Sequence, residues 1–302
     1  MTTLLNPNPD FLDHEFLITR EFDAPRALVF QAWTDPKQLA QWWGPRGFTN
    51  PVCELDVRPG GAIYVVMASP NGDRYPMGGE FREIVFPERL VLTTGALDEK
   101  GDLMFELLHT LTFTEQHGKT TLTLKSRVIK TTPGAGRYIS GFEAGMTQSL
   151  VKLSEQVDCK AEPLVIERTF NAPIDLVWQT ISTPEGMKQW FFELKDFKAT
   201  VGFQFTFTGG KDGQTFLHLC TVTEVIAQKQ LSFTWRYDGY TGNSLVVIEL
   251  FPEDKGTRVK LTHYGLETFP AIPIFDRANF NMGWTHIIGT SLKEAVEAKA
   301  NI

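Results

Sequence analysis

The chain repeats itself: DAPRALVFQAWTDPKQLAQWW at residues 23–43 returns as NAPIDLVWQTISTPEGMKQWF at residues 171–191. A shift of 148 positions aligns the two stretches without a gap, since 171 is 23 plus 148. Solenoid repeats recur roughly every 20 to 50 residues, so this period describes a whole domain. A chain of 302 residues can hold two such domains, each with its own core. We predict a first domain at residues 1–158 and a second at residues 159–302.

Charge and hydropathy limit the partners that this chain can bind. The net charge is −7, and the 29 Lys and Arg residues are scattered among 36 Asp and Glu residues. A surface that tracks phosphates needs clustered basic residues, which argues against nucleic acid. The N-terminal stretch MTTLLNPNPDFLDHEF has no basic region followed by an apolar one, so we expect no signal sequence. No segment approaches the roughly 18 consecutive apolar residues of a membrane span. We expect a cytoplasmic protein without a nucleic-acid or membrane partner.

The cysteines and histidines form no local metal-binding pattern. Cys53, Cys159 and Cys220 are widely spaced, which is typical of reduced thiols rather than of a disulfide framework. The six histidines are never closer than eight residues, so no neighbouring pair can bind zinc. The glycines of GGKDGQT lack the spacing of a nucleotide-binding loop and indicate a turn between strands. We predict no metal and no cofactor, and a metal site built from distant residues is left open.

Each repeat shows the same order of signals: a short strand, two short helices, a long run of strands and a final long helix. Residues 52–128 and 197–263 alternate β-branched or aromatic residues with polar ones between turn clusters, which predicts antiparallel hairpins. Asp35 and Thr183 precede prolines where helices begin, and we expect both to cap those helices.

Apolar residues at steps of three and four predict a long amphipathic helix at the end of each repeat. A sheet of six or seven antiparallel strands cannot hide its inner face alone, so the sheet is expected to curl around that helix. The fold class is therefore α+β. The helical residues are Phe142, Met146, Leu150, Leu153 and Val157 in the first repeat, and Trp284, Ile287, Ile288, Leu292 and Ala295 in the second.

Several long motifs carry a family resemblance. The first repeat, through DAPRALVFQAWTDPKQLAQWWGPRGFT, DVRPGGAIYVVMASPNGDRYPMGGEF and GMTQSLVKL, resembles the activator of heat-shock-protein-90 ATPase homologue-like family within the SRPBCC or START-like superfamily. The second repeat resembles a more divergent member and lacks the GPRGFT and SPNGDRYPMGG segments. The resemblance implies tandem helix-grip domains, in which a curved sheet wraps a C-terminal helix and leaves an apolar cavity. It also implies a chaperone as a partner, by the family name alone.

Strand parity places a histidine inside the first domain. In MFELLHTLTF, His109 shares a face with apolar residues at every second position, so its ring is predicted to point inward. A lone histidine on an apolar face is more often a core residue than a catalyst. His109 is still the best polar candidate in the first cavity, where Tyr75 or Arg74 would complete a proton shuttle in a cyclase-like or hydrolase-like enzyme.

The function predicted from these patterns is the binding of a small hydrophobic or aromatic molecule in an internal cavity. No catalytic triad, reactive cysteine or buried carboxylate pair is evident, so His109 is the one weak catalytic candidate. An enzyme that uses the same cavity and a chaperone-associated interaction module are the alternatives. The predicted ligand-binding residues are Trp42, Trp43, Phe48, Met67, Tyr75, Met77, Phe81, Phe105, His109 and Met146 in the first domain, and Trp190, Phe203, Phe205, Phe216, His218, Trp235 and Trp284 in the second.

Overall fold

The structure of the chain is a computed structural model that describes residues 11–158, 161–194, 196–211 and 214–300. Its two compact units are Met1–Asp158 and Cys159–Ile302. Cys53 and Cys220 are free thiols. The predicted reduced thiol of Cys159, and part of the predicted GGKDGQT turn, lie outside the described residues.

The first domain is a seven-stranded antiparallel sheet in the order β1-β7-β6-β5-β4-β3-β2. Its strands are β1 (Glu15–Phe22), β2 (Thr49–Leu55), β3 (Ala62–Ala68), β4 (Arg74–Val85), β5 (Arg89–Ala96), β6 (Phe105–Gln116) and β7 (Lys119–Thr131). Its helices are α1 (Arg26–Thr34), α2 (Pro36–Trp42), α3 (Gly136–Ser140) and α4 (Phe142–Val157). Strand β1 pairs with β7, the last strand of the domain. From β2 to β7, each strand pairs with the strand that follows it in the sequence.

The second domain repeats this plan with six strands, in the order β8-β13-β12-β11-β10-β9. Its strands are β8 (Leu164–Phe170), β9 (Gln204–Lys211), β10 (Gln214–Ile226), β11 (Gln230–Tyr237), β12 (Ser244–Glu253) and β13 (Gly256–Tyr264). Its α-helices are α5 (Ile174–Ser182), α6 (Pro184–Trp190), α7 (Arg277–His286) and α8 (Lys293–Ala300). The predicted α+β architecture of two tandem helix-grip domains is confirmed.

The predicted helix caps are present. The Asp35 carboxylate accepts hydrogen bonds from the backbone N–H groups of Lys37 and Gln38, at 2.9 and 3.1 Å, where α2 begins. Thr183 Oγ1 accepts one from the N–H of Gly186 at 3.1 Å, where α6 begins. Each cap satisfies backbone donors that have no partner within the helix.

The repeated tryptophan that ends α2 and α6 has a structural role in both domains. The indole N–H of Trp42 donates to the carbonyl oxygen of Ala32 at 3.0 Å. Trp190 donates to the carbonyl oxygen of Thr180 at the same distance. The two bonds are related by the 148-residue shift of the sequence repeat, and each ties a short helix to the helix before it.

Helix α4 buries four of the five residues of its predicted apolar stripe, and the fifth, Phe142, is half-buried. Met146, Leu150, Leu153 and Val157 are buried, and α4 packs against β1, α1 and α2. Burying side chains of this size contributes roughly 1.5 to 3 kcal/mol each. The predicted inward face of β6 is also buried, from Phe105 through His109 to Phe113.

The closing helix of the second domain differs from a regular α-helix. A π-helical segment, Ile287–Leu292, joins α7 to α8. The fully buried side chains follow steps of four: Trp284, Ile288, Leu292 and Val296. Ile287 and Ala295, predicted on this face, are only half-buried. An α-helix has 3.6 residues per turn, so residues spaced exactly four apart gradually rotate around its axis. The wider π-helical turn offsets this rotation and keeps the four side chains facing the sheet.

This π segment accommodates one extra residue relative to α4. Aligning the Gly-Met of GMTQSLVKL with the Gly-Trp of GWTHIIGTSLKE pairs Met146 with Trp284, a shift of 138. The buried residues near the end pair as Val157 with Val296, a shift of 139. The additional residue therefore falls inside the helix, and the wider turn absorbs it without changing which side chains are buried.

None of the helices in the described ranges is both long and apolar enough to cross a membrane.

The cap at Asp35 generates a stability prediction. Asp35→Ala removes the acceptor for two backbone N–H groups, so we expect the free energy of unfolding to fall by about 1 kcal/mol. Asp35→Asn retains a side-chain oxygen and is the matched control, with a loss of at most a few tenths of a kcal/mol. Urea unfolding followed by circular dichroism measures both, and equal losses for the two variants would contradict the role of the cap.

Candidate functional site

A cavity of about 760 Å³ lies inside the first domain. Its walls come from α4, α3, strands β3 to β6, and the segment that follows α2. Small-molecule sites are typically concave, mostly apolar and of about 300 to 1,000 Å³, so this cavity is of ligand size. The lining side chains and glycines are Trp43, Gly44, Pro45, Phe48, Met67, Arg74, Tyr75, Pro76, Met77, Thr94, Ala96, Leu97, Asp98, Glu99, Met104, Phe105, Leu107, Arg137, Tyr138, Gly141, Phe142, Gly145, Met146 and Ser149.

The segment after α2 is fixed against the cavity by hydrogen bonds to its backbone. The Asn50 amide donates to the carbonyl oxygens of Ala40 and Trp43, at 2.9 and 2.8 Å. The backbone of Trp43 is extended, with φ −62° and ψ 138°, so the chain leaves the helix there. Gly44 follows with φ +84°, and a Cβ at this position would lie 2.8 Å from Met67 Sδ. The left-handed φ favours glycine at this position, and the absence of a side chain lets Met67 of β3 pack against it.

Charged groups border the cavity at its solvent-exposed side. Arg74 and Arg137 are exposed, and within the described residues neither pairs with a carboxylate. The Arg137 guanidinium lies 4.6 Å from the centre of the Tyr138 ring and donates to its hydroxyl at 2.6 Å. Asp98 accepts hydrogen bonds from the N–H groups of Asp102 and Lys100, which lower the pKa of its carboxyl. This rim carries both signs of charge.

The buried side of the cavity wall carries an uncharged hydrogen-bonded triad. His109 Nε2 lies 2.7 Å from Thr94 Oγ1, and His109 Nδ1 lies 2.8 Å from Ser126 Oγ. Burial lowers the pKa of His109 to about 3, so the imidazole is neutral at physiological pH. Of this triad, Thr94 lines the cavity and the histidine stands behind it, against the ring of Phe142.

Most of the residues predicted for the first domain line the cavity, and three lie elsewhere. Trp42 is fully buried and packs against Trp33 of α1, with ring centres 4.7 Å apart, while Trp43 follows the end of α2 and lines the cavity. Phe81 lines a space of about 20 Å³ on the other side of Met77 and Thr94, which line both this space and the cavity. His109 reaches the cavity only through Thr94. The predicted residues that line the cavity are Trp43, Phe48, Met67, Tyr75, Met77, Phe105 and Met146.

Sequence reasoning missed the cavity residues of α4 and of the β5–β6 connection. Phe142 and Ser149 lie one turn before and one turn after Met146, so the helical period contained the signal for them. Leu97 and Met104 come from the connection between strands, where neither period applies.

Strand register identifies the second-domain equivalents of the cavity wall. Met77 pairs with Val65 and Ala96 in the first domain. His218 pairs with Phe207 and Tyr237 in the second. Ala96, which lines the cavity, and the buried Val65 thus correspond to the aromatic residues Tyr237 and Phe207.

Two further residues of the cavity wall also correspond to larger aromatic residues in the second domain. Thr94, two residues before Ala96, corresponds to Trp235, two residues before Tyr237. Met146 corresponds to Trp284 on the closing helix. The larger rings meet one another: the centres of Trp235 and Trp284 are 5.2 Å apart, in an edge arrangement.

The aromatic rings of the second domain occupy the region that corresponds to the first cavity. Phe207 stacks on His218 with centres 4.2 Å apart, and His218 contacts Tyr237 at 4.6 Å. Of the seven residues predicted to bind a ligand here, five are buried in this interior, and Phe203 and Phe216 are half-buried and pack against it. The seven residues are Trp190, Phe203, Phe205, Phe216, His218, Trp235 and Trp284.

A chain of hydrogen bonds links Trp284, His263, Ser244 and Trp235 in that interior. The Trp284 indole N–H donates to His263 Nδ1 at 3.0 Å, which leaves the proton of the neutral ring on Nε2. Nε2 lies 2.8 Å from Ser244 Oγ, which in turn donates to the carbonyl oxygen of Trp235 at 2.8 Å. Burial lowers the pKa of His263 to about 3.

A curved antiparallel sheet with a long C-terminal helix against it defines the helix-grip class, and this chain contains two such domains in tandem. Residues 23–158 and 171–297 both match the family model described as Activator of Hsp90 ATPase homolog 1-like protein. The two segments cover most of the chain, which therefore belongs to this family and carries two copies of its domain.

Solved structures from bacteria are similar to parts of the chain. A crystal structure from Nitrosomonas europaea has 27% identity, covers 49% of this chain and 95% of its own, with a TM-score of 0.40. A crystal structure of the AHSA1 protein from Silicibacter pomeroyi has 28% identity, 47% and 95% coverage, and a TM-score of 0.41. An NMR structure from Arthrobacter aurescens has 26% identity, 52% and 91% coverage, and a TM-score of 0.42. A comparison with proteins of curated function finds no match.

The buried histidines generate a pH prediction. The folded-state pKa values of His109, His218 and His263 lie at about 3, 4 and 3, below the ordinary value of 6.5. The unfolded chain therefore binds more protons below pH 6.5, and stability is lost as the pH falls from about 6.5 towards 4. Each such histidine contributes about 1.4 kcal/mol per pH unit well below its unfolded pKa.

Urea unfolding at intervals between pH 7 and pH 4.5 measures the slope of the free energy of unfolding against pH. His218→Met introduces the residue that the first domain holds at the equivalent position, and we expect it to flatten the slope by the contribution of one proton. The slope is the readout, so a change in absolute stability does not affect the test. An unchanged slope in this variant would show that His218 is not buried in its neutral form.

Proposed function

We propose that the first domain binds a small hydrophobic or aromatic molecule in its internal cavity. The observation that carries this proposal is the cavity itself, at about 760 Å³ with a largely apolar lining. Apolar walls with a few placed polar groups are the usual composition of small-molecule sites. Trp43, Phe48 and Tyr75 supply aromatic surface, and the rings of Phe48 and Tyr75 lie 5.8 Å apart.

The difference between the two domains supports a ligand site in the first domain. The positions of Thr94, Ala96 and Met146 carry small or flexible side chains in the first domain, and aromatic rings in the second. Protein interiors pack to high density, so a fold that fills this region in one copy can fill it in both. The open first cavity is therefore a property of its own residues rather than of the fold.

The enzymatic alternative is less well supported by the contacts of His109. A general acid or base works best when its pKa lies near the operating pH, whereas burial lowers that of His109 to about 3. Both ring nitrogens already contact hydroxyl groups. A chaperone partner rests on the name of the family, and a cytoplasmic location stays a prediction.

Native mass spectrometry of the freshly purified chain, followed by organic extraction, tests the proposal directly. We expect one small apolar molecule per chain, or a shift in thermal unfolding when apolar aromatic compounds are added to the empty protein. An empty protein that shows no thermal shift with such a set would contradict ligand binding and favour the interaction-module hypothesis.

Transferring the second-domain residues into the first domain tests the location of the site. The triple variant Thr94→Trp, Ala96→Tyr, Met146→Trp should fill the cavity, lower the affinity for a bound aromatic probe such as 2-acetylnaphthalene at least tenfold, and retain cooperative unfolding. Lys125→Gln, on the exposed face of β7, is the control and should leave the affinity unchanged. Probe binding at full strength in the triple variant would place the ligand elsewhere.

A further inference from the structure

We propose that the Thr94 hydroxyl, oriented by His109 and Ser126, determines the specificity of the first cavity by donating a hydrogen bond to an uncharged carbonyl oxygen of the ligand. This inference rests on the proposed function and names the chemical class of ligand that the site takes: an apolar molecule with a buried ketone, ester or amide. It assigns a positioning role to His109, whose ring is behind the cavity wall.

The buried hydroxyl of Ser126 determines which atoms donate and which accept in the hydrogen bonds of the triad. Ser126 is fully buried, and within the described residues its hydroxyl has His109 Nδ1 as its hydrogen-bond partner. If Nδ1 carried the proton, the Ser126 hydroxyl hydrogen would be left without an acceptor, and a buried unsatisfied donor is costly. Ser126 therefore donates to Nδ1, and the proton of the neutral ring lies on Nε2.

The outcome of this arrangement is a free donor on the cavity wall. His109 Nε2–H donates to Thr94 Oγ1 at 2.7 Å, so that oxygen acts as the acceptor of the pair. The hydroxyl hydrogen of Thr94 then remains available, and Thr94 is the member of the triad that lines the cavity. The unsatisfied donor is thus placed where a ligand oxygen can reach it.

The end of the cavity at Thr94 favours an uncharged hydrogen-bond acceptor on the ligand. Thr94 is 3% exposed and its partner His109 is neutral, so this end of the cavity offers no charge to a carboxylate. Arg74 and Arg137, by contrast, lie at the exposed rim. A charged group on a ligand would stay at the rim, whereas an uncharged carbonyl can enter.

The second domain shows that the fold does not need this triad. His109 pairs with Leu92 and Ser126 across neighbouring strands, and Val246 pairs with Phe233 and His263 in the same register.

His109 therefore corresponds to Val246, and Thr94 corresponds to Trp235. The hydroxyl and imidazole are absent from these two positions in the domain whose interior is filled. The second interior has its own hydrogen-bonded histidine, His263, at the position of Ser126, so a buried polar group alone does not indicate a ligand site. What distinguishes the first domain is that one hydroxyl of its triad, that of Thr94, lines the cavity.

A matched pair of probes tests the inference on the full chain. 2-Acetylnaphthalene carries a ketone, and 2-isopropenylnaphthalene replaces that oxygen by a methylene group of similar shape. We expect the ratio of their affinities to favour the ketone about fivefold more in the wild type than in Thr94→Val, because one neutral hydrogen bond is lost. Thr94→Ser keeps the hydroxyl and should keep the wild-type ratio.

A spectroscopic readout separates positioning from simple structural support. In ¹⁵N-histidine NMR, we expect His109 as the Nε2–H tautomer, both in the empty protein and with the ketone bound. Ser126→Ala removes the donor that fixes this tautomer and should reduce the preference for the ketone while the hydrocarbon binds as before. An Nδ1–H tautomer in the wild type would overturn the proposed direction of the triad.

The outcomes distinguish this inference from the proposed function. If both probes bind and Thr94→Val leaves their affinity ratio unchanged, the role of Thr94 is wrong while the cavity remains a binding site. If neither probe binds the wild type, the proposed function fails and the inference fails with it.

Discussion

The inner face of a curved antiparallel sheet must be covered, and everything else in these domains depends on how that is done. One amphipathic helix covers part of the face in each copy. The rest of the inner face is covered only where side chains of the strands themselves are large enough to fill the space. In the first domain, Ala96 and Thr94 are too small to meet the helix, and a cavity remains. In the second, Tyr237 and Trp235 extend into the same region and contact neighbouring rings. A few side chains therefore decide whether this region is open or is occupied by aromatic rings in the described part of each domain.

Burial has a second consequence, which concerns charge. The interiors of both domains contain histidines that are neutral because desolvation disfavours the imidazolium form. The ring nitrogens of His109 and His263 contact hydroxyl groups or an indole N–H, and Nδ1 of His218 contacts the carbonyl oxygen of Phe207. Each interior thus includes polar groups without a buried ion, and hydrogen-bond direction becomes the property through which the first cavity can distinguish ligands.

Much of the fold could be predicted from the sequence, because the signals that encode it are local and periodic. The repeat itself, the capping residues Asp35 and Thr183, and the alternation along β6 each depend on neighbours in the chain. The residues of the candidate site could be predicted less well from the sequence. Trp42 and Trp43 are adjacent and chemically alike, yet the break at the end of α2 sends one into the core and the other to the cavity. No periodicity distinguishes them, and the filling of the second interior becomes evident only when strand register is known.

The π-helical segment shows how such a fold tolerates a change in chain length. In an α-helix, one inserted residue would rotate every later side chain by about 100° and turn the apolar stripe away from the sheet. The wider turn at Ile287–Leu292 takes up the additional residue locally, so that Leu292 and Val296 remain buried. After duplication, the two copies were thus free to diverge in length within their most buried helix, and an indel there need not be lethal to the fold.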